Sequence, residues 1–373
     1  MTCNSYTNLS ILTKMGHFTK GIIAAIAATI GLTAAVPAPF AQARTIAFDD
    51  SSARALIQRV VELTFTMKYE EGLVAADSLE VIAPGHPIVS LLRAGVYYCR
   101  MLDYEDMLDI EIFQKNYDEA WKKAEELKQQ GEIAEGDLYI GVLLGFKALL
   151  HQRRGEWWPA VKQGMKAVGY LKDCLKKDPS YSDAYLGWGT YKYWRSRAMD
   201  FINWLPLIPD EKDKGIEMVR QAMAEGLFGR EISRSTLAWI LIDAGRPSEA
   251  ISLSQEGLKL YPGSRFYLWT LADGYKNTGQ WRRAAGPFQE LYDSIHLDSR
   301  NNYYNELGIC KQMARCHQAL KDPEKALEWV KRGLELPLQG DVKERRQKDV
   351  ERLQALKINL EKQVQQRQGK TTN

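Results

Sequence analysis

Cys310, Cys316 and His317, in the segment CKQMARCH, are the residue types of a soft-metal site. A structural zinc site needs four converging ligands. On a helix Cys310 and Cys316 stand about 9 Å apart along the axis and on different faces, and no second His/Cys cluster supplies the rest. No metal site is therefore expected. The same separation is too long for a disulfide. Cys99, Cys174, Cys310 and Cys316 are read as buried, unpaired thiols. His86, His151 and His296 stand alone in sequence, and the acid pairs Glu70–Glu71 and Glu125–Glu126 read as helix-surface charge. There is no phosphate-cradling Gly-rich loop, no H-E-x-x-H pair and no G-x-S-x-G elbow. The sequence thus offers no catalytic residue and no cofactor site, and a non-enzymatic protein is expected.

Composition narrows the classes further. The 373 residues are 45% apolar, 26% charged and 10% aromatic. That apolar share builds a core and excludes whole-chain disorder. A net charge of +3 lacks the basic excess of a general nucleic-acid binder, so no nucleic-acid partner is expected. Five Cys are too few for a disulfide-stapled scaffold. Ten Trp and 18 Tyr are many, and they need a structural or functional role.

Residues 1–43 read as an export address. Lys14 and Lys20 precede the uncharged run Gly21 to Val36, and Pro37, Pro39 and the small-x-small sequence Ala41-Gln42-Ala43 come after it. The 16-residue run is shorter than the roughly 20 residues that span a bilayer core. Cleavage after Ala43 and export, to a bacterial periplasm by preference, are expected; an uncleaved N-terminal membrane anchor is the alternative. Met15 opens MGHFTK and is a second candidate start. Cleavage removes two Lys and no acid, lowering the net charge from +3 to +1. Residues 44–52 are read as a linker.

A 34-residue period organises most of the chain beyond residue 52. Leu237, Ala238, Gly245 and Ala250 recur as Leu271, Ala272, Gly279 and Ala284. Small residues let two helices approach, and Gly at the turn allows a left-handed backbone. Pro262 closes the first of these units. These residues resemble the tetratricopeptide repeat. That family has Leu-Ala/Gly in a first helix, Gly at the turn, Ala in the second helix and Pro at the end. The units 231–264 and 265–298 match best. Further units are read at 53–86, 87–131, 141–179, 180–227 and 307–340, with Ala148, Gly155, Ala160 and Ala167 in the third of these and Ala314, Ala326 and Gly333 in the last. The resemblance implies an all-α fold: a right-handed superhelical solenoid of about seven helix pairs over 53–340. Residues 341–368 break the period. Val350, Leu353, Leu356, Leu360 and Val364 mark one apolar stripe, which predicts a C-terminal capping helix. Residues 369–373 are read as a disordered tail.

Most Trp and Tyr should fill the core between stacked pairs, among them Trp157, Trp281, Tyr185 and Tyr275. The family resemblance also implies an inner face lined by the first helix of each pair. Its positions fall here on Trp188, Tyr191, Lys192, Trp239, Phe266, Trp269, Lys276, Lys311 and Arg315, which form the candidate partner-binding groove. Aromatic anchors with a few charges suit an extended peptide or a partner helix. The pattern departs from the family's peptide clamp, because its Asn positions are mostly apolar here.

The segment 194–214 interrupts one repeat and carries Phe201, Trp204 and Leu205 between Arg197 and Pro209. So apolar a loop either folds back on the repeats or touches a partner or a membrane surface. The function expected is therefore an exported scaffold that binds a protein or peptide in the groove. The alternatives are an envelope assembly or membrane-associated factor using residues 201–208, or an α/α-barrel glycan hydrolase.

Overall fold

The computed structural model describes residues 51–200 and 209–371, with side chains as far as residue 368. The expected export address and the apolar residues Phe201, Trp204 and Leu205 lie outside the described residues. Regular structure is all helical, with fifteen helices among the described residues. The helices follow one another as α1 (Ser51–Phe65), α2 (Tyr69–Ile82), α3 (Pro87–Tyr104), α4 (Ile110–Gln129), α5 (Ile133–Arg153), α6 (Trp157–Lys177), α7 (Ala184–Ala198) and α8 (Lys212–Glu225). Then come α9 (Arg230–Asp243), α10 (Pro247–Leu260), α11 (Arg265–Asn277), α12 (Trp281–His296), α13 (Tyr304–Ala319), α14 (Pro323–Leu334) and α15 (Gly340–Thr371). Fourteen successive helices and a longer final one make the described residues all-α.

The local signals that start and stop these helices are plain. Gly245 and Gly279 sit in the turns of their pairs at φ +73° and +72°, where a side chain would be strained. Pro247 and Pro323 occupy the first turn of α10 and α14, where a missing N–H costs nothing. The Asp322 carboxylate accepts the Lys325 backbone N–H at 3.1 Å and caps α14.

The chain divides into two compact units. The first holds the described residues of 1–60, 73–95 and 113–236. Its helices α7 and α8 cross where Gly189 meets Gly215. A Cβ added to either glycine would stand 2.7 Å from the other's carbonyl oxygen, so the crossing tolerates only hydrogen on both sides. This contact lets a pair separated by a long connection still pack closely.

The second unit holds 61–72, 96–112 and 237–373. Its core joins α10 to α15. Leu271, Ala272, Ala284, Phe288, Leu291, Leu307, Met313, Ala314, Ala326 and Val330 are buried together. Each large apolar side chain removed from water contributes about 1.5–3 kcal/mol. The repeat alanines Ala238, Ala250, Ala272 and Ala284 are fully buried, as their role at helix crossings requires. On α15, Leu353 and Leu360 are buried and Val350, Leu356 and Val364 pack on the same core, the stripe that marks a cap in the sequence. The four described cysteines are all buried and unpaired. Burial pushes the thiols of Cys99 and Cys310 up to about 12, which keeps them as inert neutral thiols.

The second unit also contains a junction between segments far apart in sequence. Asp103, at the end of α3, pairs with Arg265, the first residue of α11, at 2.6 Å, and both side chains are 4% exposed. Tyr69 donates its hydroxyl to the same carboxylate at 2.9 Å. Arg265 also reaches Asp298 at 3.2 Å. Arg300 bridges Asp106 and Asp109 at 2.7 and 2.8 Å, and Arg100 holds Asp109 at 2.6 Å. The Tyr104 ring lies between the Arg265 and Arg300 guanidiniums, 5.1 and 5.0 Å from them. Asn305 and Asn302 donate to the carbonyls of Asp103 and Tyr104 at 2.6 and 2.8 Å. Beside this network Phe65 packs on Phe266 and Tyr267, with ring centroids 5.1 and 5.6 Å apart.

Burial pushes the Asp103 carboxyl above its ordinary range, against the pull of Arg265 and the Tyr69 hydroxyl. A charge so enclosed depends on its partner. Arg265→Met should therefore lower stability by about 3–5 kcal/mol in chemical denaturation, and combining it with Asp103→Leu should restore much of that loss. Equal and additive effects would show that the two side chains do not act as a pair. Gly215→Ala should lower the thermal midpoint although alanine favours helix by about 1 kcal/mol; a rise would mean that the α7–α8 crossing is looser than described.

Candidate functional site

The candidate groove residues lie on first helices of their pairs and divide between the two units, and each group stands by itself. In the first unit, Trp188, Tyr191 and Lys192 project from α7. Lys192 is buried at 8% exposure. Its ammonium and the Arg195 guanidinium share the Glu211 carboxylate, from the residue before α8. Lys192 also lies 5.3 Å from the Trp188 ring centre and Lys172 5.6 Å from it. Arg195 stands 6.0 Å from the Tyr191 ring. Aromatic faces and one carboxylate thus hold the cations of this face. Burial, with Lys214 and Arg195 nearby, lowers the Lys192 ammonium against the pull of Glu211. Burial raises the Glu211 carboxyl, but Lys192 and Arg195 outweigh it and hold the group below its ordinary value. At the end of α7, Arg197 pairs with Asp200 at 2.9 Å, and Lys212 joins the same acid.

In the second unit, Trp239 on α9 and Phe266 and Trp269 on α11 are half-buried, whereas their neighbours Leu237, Ala238, Tyr267 and Leu268 are at most 1% exposed. Trp269 packs edge-on against Phe288 of α12, with centroids 6.1 Å apart. Phe266 is covered on one side by Phe65. Lys276 is paired with Asp273 on the preceding turn, and its side chain is 3% exposed. On α13, Lys311 pairs with Asp349 of α15 at 2.7 Å. Arg315 has no ion pair or hydrogen bond among the described residues. Burial pushes its guanidinium down, with Asp273 the acid that opposes this.

The helical register therefore brings Trp239, Phe266, Trp269 and Arg315 to first-helix faces within one unit, while Lys276 and Lys311 are spent on the chain's own acids. The Asp103–Arg265 network is not visible in the sequence; only its charges are. Histidines obey the same rule of local use. His86 lies 3.4 Å from Glu135 and its second ring nitrogen accepts the Ile88 N–H at 3.3 Å, and His296 holds Glu306 at 2.8 Å. No group of three His, Cys, Asp or Glu side chains that could hold a metal occurs among the described residues. No helix among them is long and apolar enough to cross a membrane.

No protein-family profile and no curated protein matches the chain. Solved structures resemble it in fold alone. One is the Cut9-Hcn1 hetero-tetramer of APC/C, 14% identical at a TM-score of 0.47, with 76% of this chain aligned to 47% of that one. The chain thus spans about half the length of that protein. Another is the C-terminal part of a TPR repeat-containing protein from Cytophaga hutchinsonii, 16% identical at a TM-score of 0.35, covering 78% of this chain and 98% of that one. A tetratricopeptide repeat protein from Parabacteroides merdae is 13% identical at a TM-score of 0.35, covering 82% of this chain and 99% of that one.

The depressed Glu211 pKa carries a pH signature. A carboxyl lowered by folding stabilises the protein above its unfolded value, near 4.5, and that contribution is lost as pH falls through the lower folded value. Glu211→Gln should cost about 1–3 kcal/mol at pH 7, and its melting curve should approach that of the wild type as pH falls from 4.5 through the lower folded value. A difference that persists undiminished at pH 3 would remove the charge pair as its cause.

Proposed function

We propose that the chain is a non-enzymatic, exported scaffold that binds a peptide or partner protein on the first-helix faces of its repeats. One observation carries this reading. In a unit whose core is otherwise closely filled, Trp239 and Trp269 are only partly buried on successive first helices. Large amphipathic rings left partly open beside charged side chains are the usual anchors of protein interfaces. An antiparallel pair presents such rings from rigid helices, so little ordering entropy is lost when a partner docks. Fold alone does not fix this function, which rests on the side chains of the face. The export half of the reading rests on the Lys14–Ala43 pattern.

The test replaces Trp188, Trp239 and Trp269 with Ala together and follows partner capture by crosslinking in intact cells. Capture should be lost while helical content and thermal midpoint stay near those of the parent. Undiminished capture by the folded variant would refute the groove. N-terminal sequencing of the mature protein should begin at Arg44; a chain that keeps residues 1–43 would replace export and cleavage by an N-terminal anchor.

A further inference from the structure

Helix α6 of the first unit buries one side and turns the other to water. Ala160, Ala167, Leu171 and Cys174 lie along its buried side. On the opposite side Trp158, Lys162, Met165, Gly169 and Lys176 follow at steps of four, three, four and seven residues, the spacing of one helix face. Trp158 is 54% exposed and Met165 39%, although side chains of this kind are usually withdrawn from water. The short turn at 154–156 makes α5 and α6 an antiparallel pair. Gly164 of α6 faces Ala148 of α5, since a Cβ on the glycine would stand 4.0 Å from that of Ala148. In an antiparallel pair the next residue of each helix turns to the same side. Leu149, 44% exposed, therefore lies on the side of Met165 and adds a third apolar group to the patch.

The charge of this face is one-sided. α6 carries Lys162, Lys166, Lys172, Lys176 and Lys177 against a single acid, Asp173. Lys177 turns to Asp137 of α5 at 2.8 Å, and Lys172 lies 5.6 Å from the Trp188 ring centre. Lys162, Lys166 and Lys176 stay on the exposed side. Asp173 is shared with Lys176 at 3.0 Å, with both side chains more than half exposed, a pair that water weakens. No acid of α6 lies within one turn of Lys162 or Lys166. A solvated face elsewhere in the chain is built differently. On α4, Lys122 and Lys123 pair with Glu126 and Glu119 one turn away, and on α14 Arg332 pairs with Glu328.

We propose that this face of α6 docks on a bilayer surface bearing anionic lipid. Trp158, Met165 and Leu149 enter the boundary between headgroups and acyl chains, while Lys162, Lys166 and Lys176 meet lipid phosphates. From Trp158 to Lys176 the face runs about 27 Å along one straight helix, as contact with a plane requires. Trp is a ring of the membrane interface, and a lysine stem lies along apolar surface while its ammonium stays with the phosphates. A protein partner fits this face less well, because the cores of protein interfaces are depleted in Lys. A nucleic acid would answer the lysines but leave the apolar patch in water. No helix among the described residues is long and apolar enough to cross a membrane, so the contact of α6 is with a surface. The proposal is independent of the groove, which lies on other helices.

Flotation of the full chain with vesicles of phosphatidylcholine, alone or with about 30% phosphatidylglycerol, tests it. The anionic vesicles should bind about tenfold more tightly, and high salt should remove the difference. Lys162→Glu with Lys166→Glu should weaken anionic-vesicle binding about tenfold or more. Lys331→Glu with Lys343→Glu, an equal change of charge at exposed sites of the second unit, should leave it near that of the parent. Brominated acyl chains should quench the parent's tryptophan fluorescence more than that of Trp158→Phe. Unchanged binding in the folded Lys162/Lys166 variant would overturn the assignment; if that variant does not fold, full affinity in Lys162→Gln with Lys166→Gln does so. Equal loss in both lysine pairs would reduce the effect to net charge and overturn it too. Equal binding to both kinds of vesicle, insensitive to the α6 variants, would move the contact to an apolar segment elsewhere in the chain. Duplex DNA that binds as tightly as the anionic vesicles would replace the bilayer by a polyanion. Absence of vesicle binding, with loss of a crosslinked partner in the Lys162/Lys166 variant, would replace it by an acidic protein.

Discussion

A pair of antiparallel helices leaves one apolar face bare, and only the next pair can cover it. Every other feature of this chain is arranged around that constraint. Ala238, Ala250, Ala272 and Ala284 are fully buried because a larger side chain at those points would hold successive helices apart. Gly189 and Gly215 go further and bring two backbones to the distance that only hydrogen permits. After α14 the pairs give way to one long helix. The apolar stripe of α15 closes the core there with Leu353 and Leu360, while its opposite face carries charge.

The charges inside the second unit obey a companion rule: each enclosed cation is given an acid. Arg265 has Asp103, Lys276 has Asp273, and Lys311 has Asp349. Such pairs contribute little net stability relative to well-packed apolar groups, but they are intolerant of losing one member. Their value is in fixing position. Asp103 and Arg265 are 162 residues apart, and one buried geometry with Tyr69, Tyr104 and Asp298 around it admits a single register between their segments. An apolar contact at the same place would slide more readily, since dispersion and burial have no direction. The polar network is what makes the junction of 61–72 and 96–112 with the later repeats specific.

These two rules differ in how far the sequence reveals them. The first is local and periodic. Leu237-Ala238 and Leu271-Ala272 repeat at 34 residues, Gly245 and Gly279 take the left-handed turn, and the cap stripe has helical spacing. Each feature can be read within one repeat. The second rule is not local. Asp103 and Arg265 look like ordinary helix-end charges, and nothing near either residue in sequence names the other. The same limit applies to the face. Repeat positions place Phe266 and Lys311 correctly on first helices, yet Phe266 is covered by Phe65 and Lys311 by Asp349. A positional rule treats each repeat as though its inner side met only solvent. Contacts from distant segments depend on the path of the whole chain, which accumulates from small rotations at every pair. Gly308 is the one local hint, since a glycine at an inner position leaves room for another group, and Arg346 fills it.

The two rules meet on α13. Its stripe of Tyr304, Gly308, Lys311 and Arg315 begins as part of the protein's own interior, where Arg346 and Asp349 complete it, and ends at Arg315, where no described residue does. The cap helix is therefore more than a cover for an apolar end. By supplying an acid to Lys311 it withdraws that cation from the surface. The helix pairs that bury the repeat alanines hold the side chains of this face in fixed register.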